Sequence, residues 1–288
     1  MHMNKNYRSG ARYVWGGGIL LFLLIMSHSF LSAQVKVVPT FLFMKEGQRS
    51  ISFNVFNPAG GEVECWIEIK YGYATMDDTG RPAVIYDSLS EGRLDASPWI
   101  KAWPKRFTMD VGESQLIRLT VTPPSTVPEG EYWARILVKT KLSRPLVLEG
   151  ANKATRANII QVISIDIPFH YRVGRLDAGV DILNPEITTI QGGRQRFSTD
   201  VRHTGNASFW GLFDLRFLDK TNNTLVVESK KHFVAYKDFK YTLGLDSLNI
   251  PPGNYTVQAI VNTKRPDILP SLILPFGSVV KTFDYVKQ

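Results

Sequence analysis

From Val35 onward the chain alternates apolar and polar residues. Ile51, Phe53 and Val55 take turns with polar neighbours; so do Val63, Cys65, Ile67 and Ile69, then Ile117, Leu119 and Val121, then Tyr132, Ala134, Ile136 and Val138. Successive side chains of an extended strand point to opposite faces, so this pattern describes strands with one apolar and one wet face. No long stretch shows the 3.6-residue period of a helix. Segments 35–43, 50–56, 63–71, 115–122, 131–139 and 158–171 are short, rich in β-branched and aromatic residues, and bounded by turn sequences such as Asn57-Pro58-Ala59-Gly60-Gly61 and Asp110-Val111-Gly112. The pattern restarts after Arg172, with strands expected over 194–202, 208–218, 224–229, 233–243, 254–261 and 279–286. The expected fold is all-β: two tandem immunoglobulin-like β-sandwiches, 34–172 and 173–288, with no short repeat that would indicate a solenoid.

Residues 1–33 do not belong to that pattern. Lys5, Arg8 and Arg12 precede the unbroken apolar run from Ile19 to Met26, and small residues lead to Ala33. This is the layout of a secretory signal peptide cut after Ala33, and the run is far shorter than the roughly 20 residues of a membrane span. The mature chain is therefore expected to be exported, with no membrane span. Losing the leader's three cations takes the formal charge from +8 to +5. What remains is spread over both halves, which argues against a nucleic-acid partner. The densest basic stretch, Lys230-Lys231-His232 with Lys237 and Lys240, is interleaved with Phe233, Tyr236, Phe239 and Tyr241. Such a pattern fits base stacking or a solvated hairpin with one apolar face, and the charge count favours the hairpin.

No residues fall at the spacing of a catalytic or metal site. His170, His203 and His232 are isolated, and no nucleophile elbow or phosphate-binding glycine loop occurs. Asp78-Thr79-Gly80 spells the aspartic-protease tripeptide, but once only and in turn composition. Cys65 lies on the apolar face of its strand, as a buried small hydrophobe does. The chain is expected to be neither an enzyme nor a cofactor protein.

The run Ile117-Arg118-Leu119-Thr120-Val121-Thr122-Pro123, followed by Val127-Pro128-Glu129-Gly130-Glu131-Tyr132-Trp133, resembles the first domain of the PapD-like periplasmic pilus chaperones. His170-Tyr171-Arg172 is similar to that family's junction between domains, and the resemblance covers roughly residues 35 to 172. It implies a periplasmic protein that lends an edge strand to pilin-like subunits with incomplete sandwiches, with an outer-membrane usher as a further partner. It also implies an interdomain salt bridge between Arg118 and Glu131; the alternative is two unrelated surface charges. The lending strand would be the last of the first domain, 158–167, and the client-binding residues Ile159, Ile160, Val162, Ile163 and Ile165. Ile159, Ile163, Ile165 and Ile167 would share one face, with Ile160 and Val162 on the other. The alternative is a central strand buried on both sides. The family's two basic residues for a client carboxylate are missing: Phe41 or Leu42 and Pro168 stand in their places, leaving Lys45, His170 or Arg172 as substitutes. That departure keeps a second reading open, an exported or cell-surface two-domain binding or structural protein without chaperone activity.

Overall fold

The computed structural model describes residues 35–58, 60–77, 79–86, 94–143, 146–149 and 156–288, with the main chain alone for 146–149 and 156–159. The expected leader and Asp78 lie outside them. Thirteen strands precede residue 174: β1 (Lys36–Val38), β2 (Leu42–Lys45), β3 (Ser50–Phe56), β4 (Val63–Lys70), β5 (Tyr73–Met76), β6 (Pro82–Ile85), β7 (Ile100–Trp103), β8 (Arg106–Met109), β9 (Ser114–Val121), β10 (Gly130–Leu142), β11 (Leu146–Glu149), β12 (Arg156–Ile159) and β13 (Ile163–Val173). A four-stranded sheet, β1-β3-β9-β7, faces a five-stranded sheet, β2-β13-β10-β4-β8. The alternating residues meet between them: Phe53, Val55, Cys65, Ile67, Ile117, Leu119, Ile136 and Phe169 are all buried in one core. Burial there pushes the Cys65 thiol up to about 12, so it serves as packing and not as a nucleophile.

Seven more strands make the second sandwich: β14 (Ala178–Thr189), β15 (Gln195–Gly205), β16 (Phe209–Asp219), β17 (Leu225–Ala235), β18 (Phe239–Gly244), β19 (Gly253–Asn262) and β20 (Val279–Lys287). They form sheets β14-β15-β18 and β17-β16-β19-β20 around a separate core of Phe197, Phe213, Phe217, Tyr241 and Val257. Each sandwich carries a tyrosine corner, a hallmark of immunoglobulin-like folds. The Tyr132 hydroxyl donates to the Pro128 carbonyl at 3.1 Å and the Tyr255 hydroxyl to the Pro251 carbonyl at 2.8 Å. Both corners have the same spacing, Pro128-x-Gly130-x-Tyr132 and Pro251-x-Gly253-x-Tyr255.

Four expectations from the sequence need correction. Segment 35–43 is two strands in different sheets: β1 pairs with β3, and after Pro39 the chain crosses over so that β2 runs parallel to β13. The long last strand is broken. β12 folds back on β11 as a hairpin, residues 160–162 are not in a strand, and β13 begins only at Ile163. Residues 230–241 are not a hairpin, because β17 pairs with β16 while β18 pairs with β15 in the opposite sheet. Phe233, Tyr236 and Tyr241 are buried and Phe239 is half-buried, while the neighbouring lysines are exposed, so the aromatic and basic residues do not share one open face for bases. Finally, β14 was not anticipated, because Asn184-Pro185 interrupts it. The ladder to β15 jumps from Leu183 to Glu186, with Asn184 at φ +52°, the conformation of a bulge.

Replacing Tyr132 or Tyr255 by Phe removes one corner hydrogen bond at no cost in apolar volume. Each variant is expected to lower unfolding stability by about 0.5–1.5 kcal/mol in urea titrations.

Candidate functional site

An antiparallel sheet packed on one face should be wet on the other. β10 breaks this rule, with Gly130 to Val138 buried on both faces. Its core face carries Tyr132, Ala134, Ile136 and Val138 opposite Tyr171, Phe169, Ile167 and Ile165 of β13. Its outer face carries Glu131 opposite Arg172, Trp133 opposite His170 and Arg135 opposite Pro168. β2 extends these rows, placing Lys45 beside Arg172 and Phe43 beside His170. The second sandwich covers this outer face.

Glu131 lies at its centre, fully buried. One carboxylate oxygen accepts from Arg172 Nε at 2.7 Å. The other accepts from His170 Nδ1 at 2.8 Å, the Ser208 amide at 3.2 Å and the Ser208 hydroxyl. The Ser208 Oγ in turn accepts from Trp210 Nε1 at 2.9 Å. With Nδ1 donating, a neutral His170 ring accepts at Nε2 from the Tyr236 hydroxyl, 3.2 Å away. Arg172 Nη1 donates to the Leu272 carbonyl at 2.7 Å, and the Glu131 amide to the Asn206 carbonyl at 2.9 Å. Ser208, Trp210, Tyr236, Leu272 and Asn206 all belong to the second sandwich, so one carboxylate gathers bonds from both halves. Rings reinforce it: His170 stacks between Phe43 and Tyr236, at centroid distances of 4.8 and 5.7 Å, and the Arg172 guanidinium sits 4.5 Å over Phe43. A second tie is the β5–β6 turn. Its Gly80, at φ +83°, lies so close to Thr242 of β18 that a Cβ would overlap the Thr242 hydroxyl.

The expected partner of Glu131 was Arg118, and this is corrected. Arg118 sits on β9, in the opposite sheet, alternating with buried Ile117 and Leu119 so that its side chain is exposed on the far side of the sandwich. Arg172 takes the role. It and His170 are both spent on Glu131, so neither is a free cation for a client carboxylate; Lys45 remains exposed at the end of β2. The Asp77 turn is also structural: Asp77 Oδ1 accepts from the Thr79 amide and hydroxyl and the Arg81 amide.

The remaining site residues divide along the broken strand. Ile163, Ile165 and Ile167 point to the core, with Ile165 packed against it and Ile167 buried. Ser164 and Asp166 hold the outer positions, so within the ladder the strand has one apolar face and not two. Ile160 and Val162, 64% and 49% exposed, lie just ahead of it. Ile159 ends β12 opposite Leu146, and its side chain is outside the described residues. One edge of β13 pairs with β10 throughout. On the other edge β2 pairs only with Phe169 to Arg172, and among the described residues no strand pairs with 163–168.

Burial would raise the Glu131 carboxyl, but His170, Arg172 and Ser208 outweigh it and hold it at about 2. Burial pushes the His170 imidazole down, aided by Arg172 and Arg135 and opposed by Glu131. Both groups thus bind protons more readily unfolded than folded. Stability should fall as pH drops below about 6.5, where unfolded histidine protonates, and fall further below about 4.5, where unfolded glutamate does. Unfolding midpoints measured from pH 8 to 3 check this, and Glu131→Gln should shrink the lower step, leaving the part due to Glu68, Asp77 and Asp267. Glu131→Ala strands a buried guanidinium and is expected to cost about 3–5 kcal/mol, against less than about 0.5 for Arg118→Ala.

No family model matches the chain, and no curated protein matches it. Solved structures of chaperones are similar to it. The chaperone YadV is 12% identical, over 87% of this chain and 99% of that one, with a TM-score of 0.46. The E. coli chaperone DraB is 16% identical, over 88% and 97%, with a TM-score of 0.43. A structure of the Salmonella enterica SafA pilin in complex with the SafB chaperone is similar at 14% identity, over 88% and 96%, with a TM-score of 0.40.

Proposed function

We propose that the protein is a periplasmic chaperone of the PapD-like type, which stabilises exported, pilin-like subunits by adding the free edge of β13 to their incomplete sandwiches. The observation that carries this reading is the edge over 163–168, which no strand among the described residues pairs with and which continues into exposed Ile160 and Val162. An edge of this kind presents a row of main-chain donors and acceptors to a partner, and nearby apolar side chains add burial on binding. The partner's strand completes the ladder that β2 leaves unfinished. Ile165 and Ile167 keep the donated strand seated on the chaperone's own core. The protein acts by binding, with no chemical step.

A second surface suits a further protein partner such as an outer-membrane usher. On the outer face of β1-β3-β9-β7, Val38, Leu116 and Trp103 are 66%, 55% and 77% exposed around Arg118. Isolated apolar side chains are ordinary on a surface, but this group shares one sheet face.

The alternative, an exported two-domain binding or structural protein without chaperone activity, draws on a different observation. Arg172 and His170 are engaged on Glu131, which leaves exposed Lys45 alone of the three candidate anchors for a client terminus. Affinity purification from periplasmic extract separates the two. The chaperone should recover a β-rich subunit, and Ile160→Asp or Val162→Asp should weaken that complex about tenfold or more each while leaving the fold intact. A clean monomer, with the presumed subunits equally stable in its absence, contradicts the chaperone reading.

A further inference from the structure

The junction carries a cleft of about 380 Å³ that no described residue fills. Its walls are apolar and come from both sandwiches: Phe41 and Pro168 from the first, Trp210, Tyr236 and Phe239 from the second, with Met76 from the β5–β6 hairpin. Phe41 meets Trp210 edge to face at 5.2 Å. Sites of this size, with apolar walls and a few polar groups, favour domain interfaces.

The cleft is continuous with the open edge of β13, since Asp166 and Pro168 belong to both. Pro168 has no N–H, so a strand laid along 163–167 loses its ladder there and must leave the edge beside the cleft. Whatever follows in the partner enters a space whose charges are already matched. Arg265 donates to both oxygens of Asp267, at 2.7 and 2.6 Å, and to the Phe233 carbonyl at 3.1 Å. Arg135 is held by Asp166 at 3.6 Å, while Asp166 also accepts from the Tyr86 hydroxyl at 2.7 Å. Each guanidinium has its carboxylate, so a further anion finds no uncompensated cation. Among the described residues Arg135 Nη2 nevertheless has no acceptor, although its side chain is only 6% exposed. A buried donor of this kind calls for a neutral acceptor.

We infer that the cleft binds an uncharged segment of the partner strand: one large apolar side chain against Phe41, Trp210 and Met76, and a main-chain carbonyl toward Arg135, with no requirement for a terminal carboxylate. This rests on the strand-addition reading and specifies its chemistry. A bound terminal carboxylate would lie beside Asp166, and its repulsion would offset what Arg135 could gain.

Two random peptide libraries displayed on phage test it, one presenting free C-termini and one presenting the same sequences internally, each selected on the wild-type chain and on Val162→Asp. Both formats should enrich alternating apolar sequences ending in an aromatic or large aliphatic residue, and Val162→Asp should abolish both. An enriched peptide should bind within threefold as free acid and as amide, about tenfold more weakly to Phe41→Ser, and with a preference for the free acid only on Thr40→Lys, which adds an unmatched cation at an exposed wall position. Enrichment from the free-terminus library alone, or a tenfold loss on amidation with the wild-type chain, overturns the inference and leaves strand addition standing. No enrichment on the wild type, or equal enrichment on Val162→Asp, removes the strand-addition reading and this inference with it.

Discussion

Much of this molecule's arrangement follows from one buried carboxylate. Removing an ion from water costs several kcal/mol or more, and Glu131 is sustained only by donors that arrive from both halves of the chain. Arg172 and His170 come from β13, Ser208 from the start of the second sandwich, and Tyr236 completes the outer shell. If the second sandwich lifts away, Glu131 loses Ser208, and His170 loses Tyr236. The cluster therefore favours a junction that is either fully made or open, and it places the second sandwich squarely on the outer face of β10 and β13.

That placement divides β13 in two. Its C-terminal half, from Phe169, is engaged by the junction and by β2; on the outer edge of its N-terminal half no strand pairs among the described residues. An unpaired strand edge is a template for aggregation, and here that tendency is blunted. The isoleucines turn inward, Ser164 and Asp166 face out, and Pro168 interrupts the donors. The break at 160–162 separates the edge from the β11–β12 hairpin, so the exposed Ile160 and Val162 stand apart from any described strand.

The alternation of Ile51, Phe53, Val55 and their counterparts carried the fold class, because a period of two admits no other regular element. Strand register is a different kind of information. Glu131 meets Arg172, and not Arg118, because β10 pairs with β13 in one sheet while β9 belongs to the other, a long-range choice that neither strand's own pattern records. The same holds for segment 35–43, whose crossing at Pro39 looks like one strand when only its apolar residues are read. A clue to the junction was nevertheless present. Glu131, Trp133 and Arg135 alternate with a core row, and His170 and Arg172 alternate with another; rows that mix aromatic and ionisable residues are unusual for a face left to water. The two Pro-x-Gly-x-Tyr corners were equally legible, and would have placed strands β10 and β19 independently of the family resemblance.

Chaperone activity of this kind requires that the edge of β13 receive a strand. Amide hydrogen exchange on the protein alone and in complex with the subunit recovered from periplasmic extract tests that most directly. New protection confined to residues 160–167, with the Glu131 junction and the β17 and β20 edges of the second sandwich unchanged, is the predicted result. Protection appearing on β17 or β20 while 160–167 exchanges as before would contradict it.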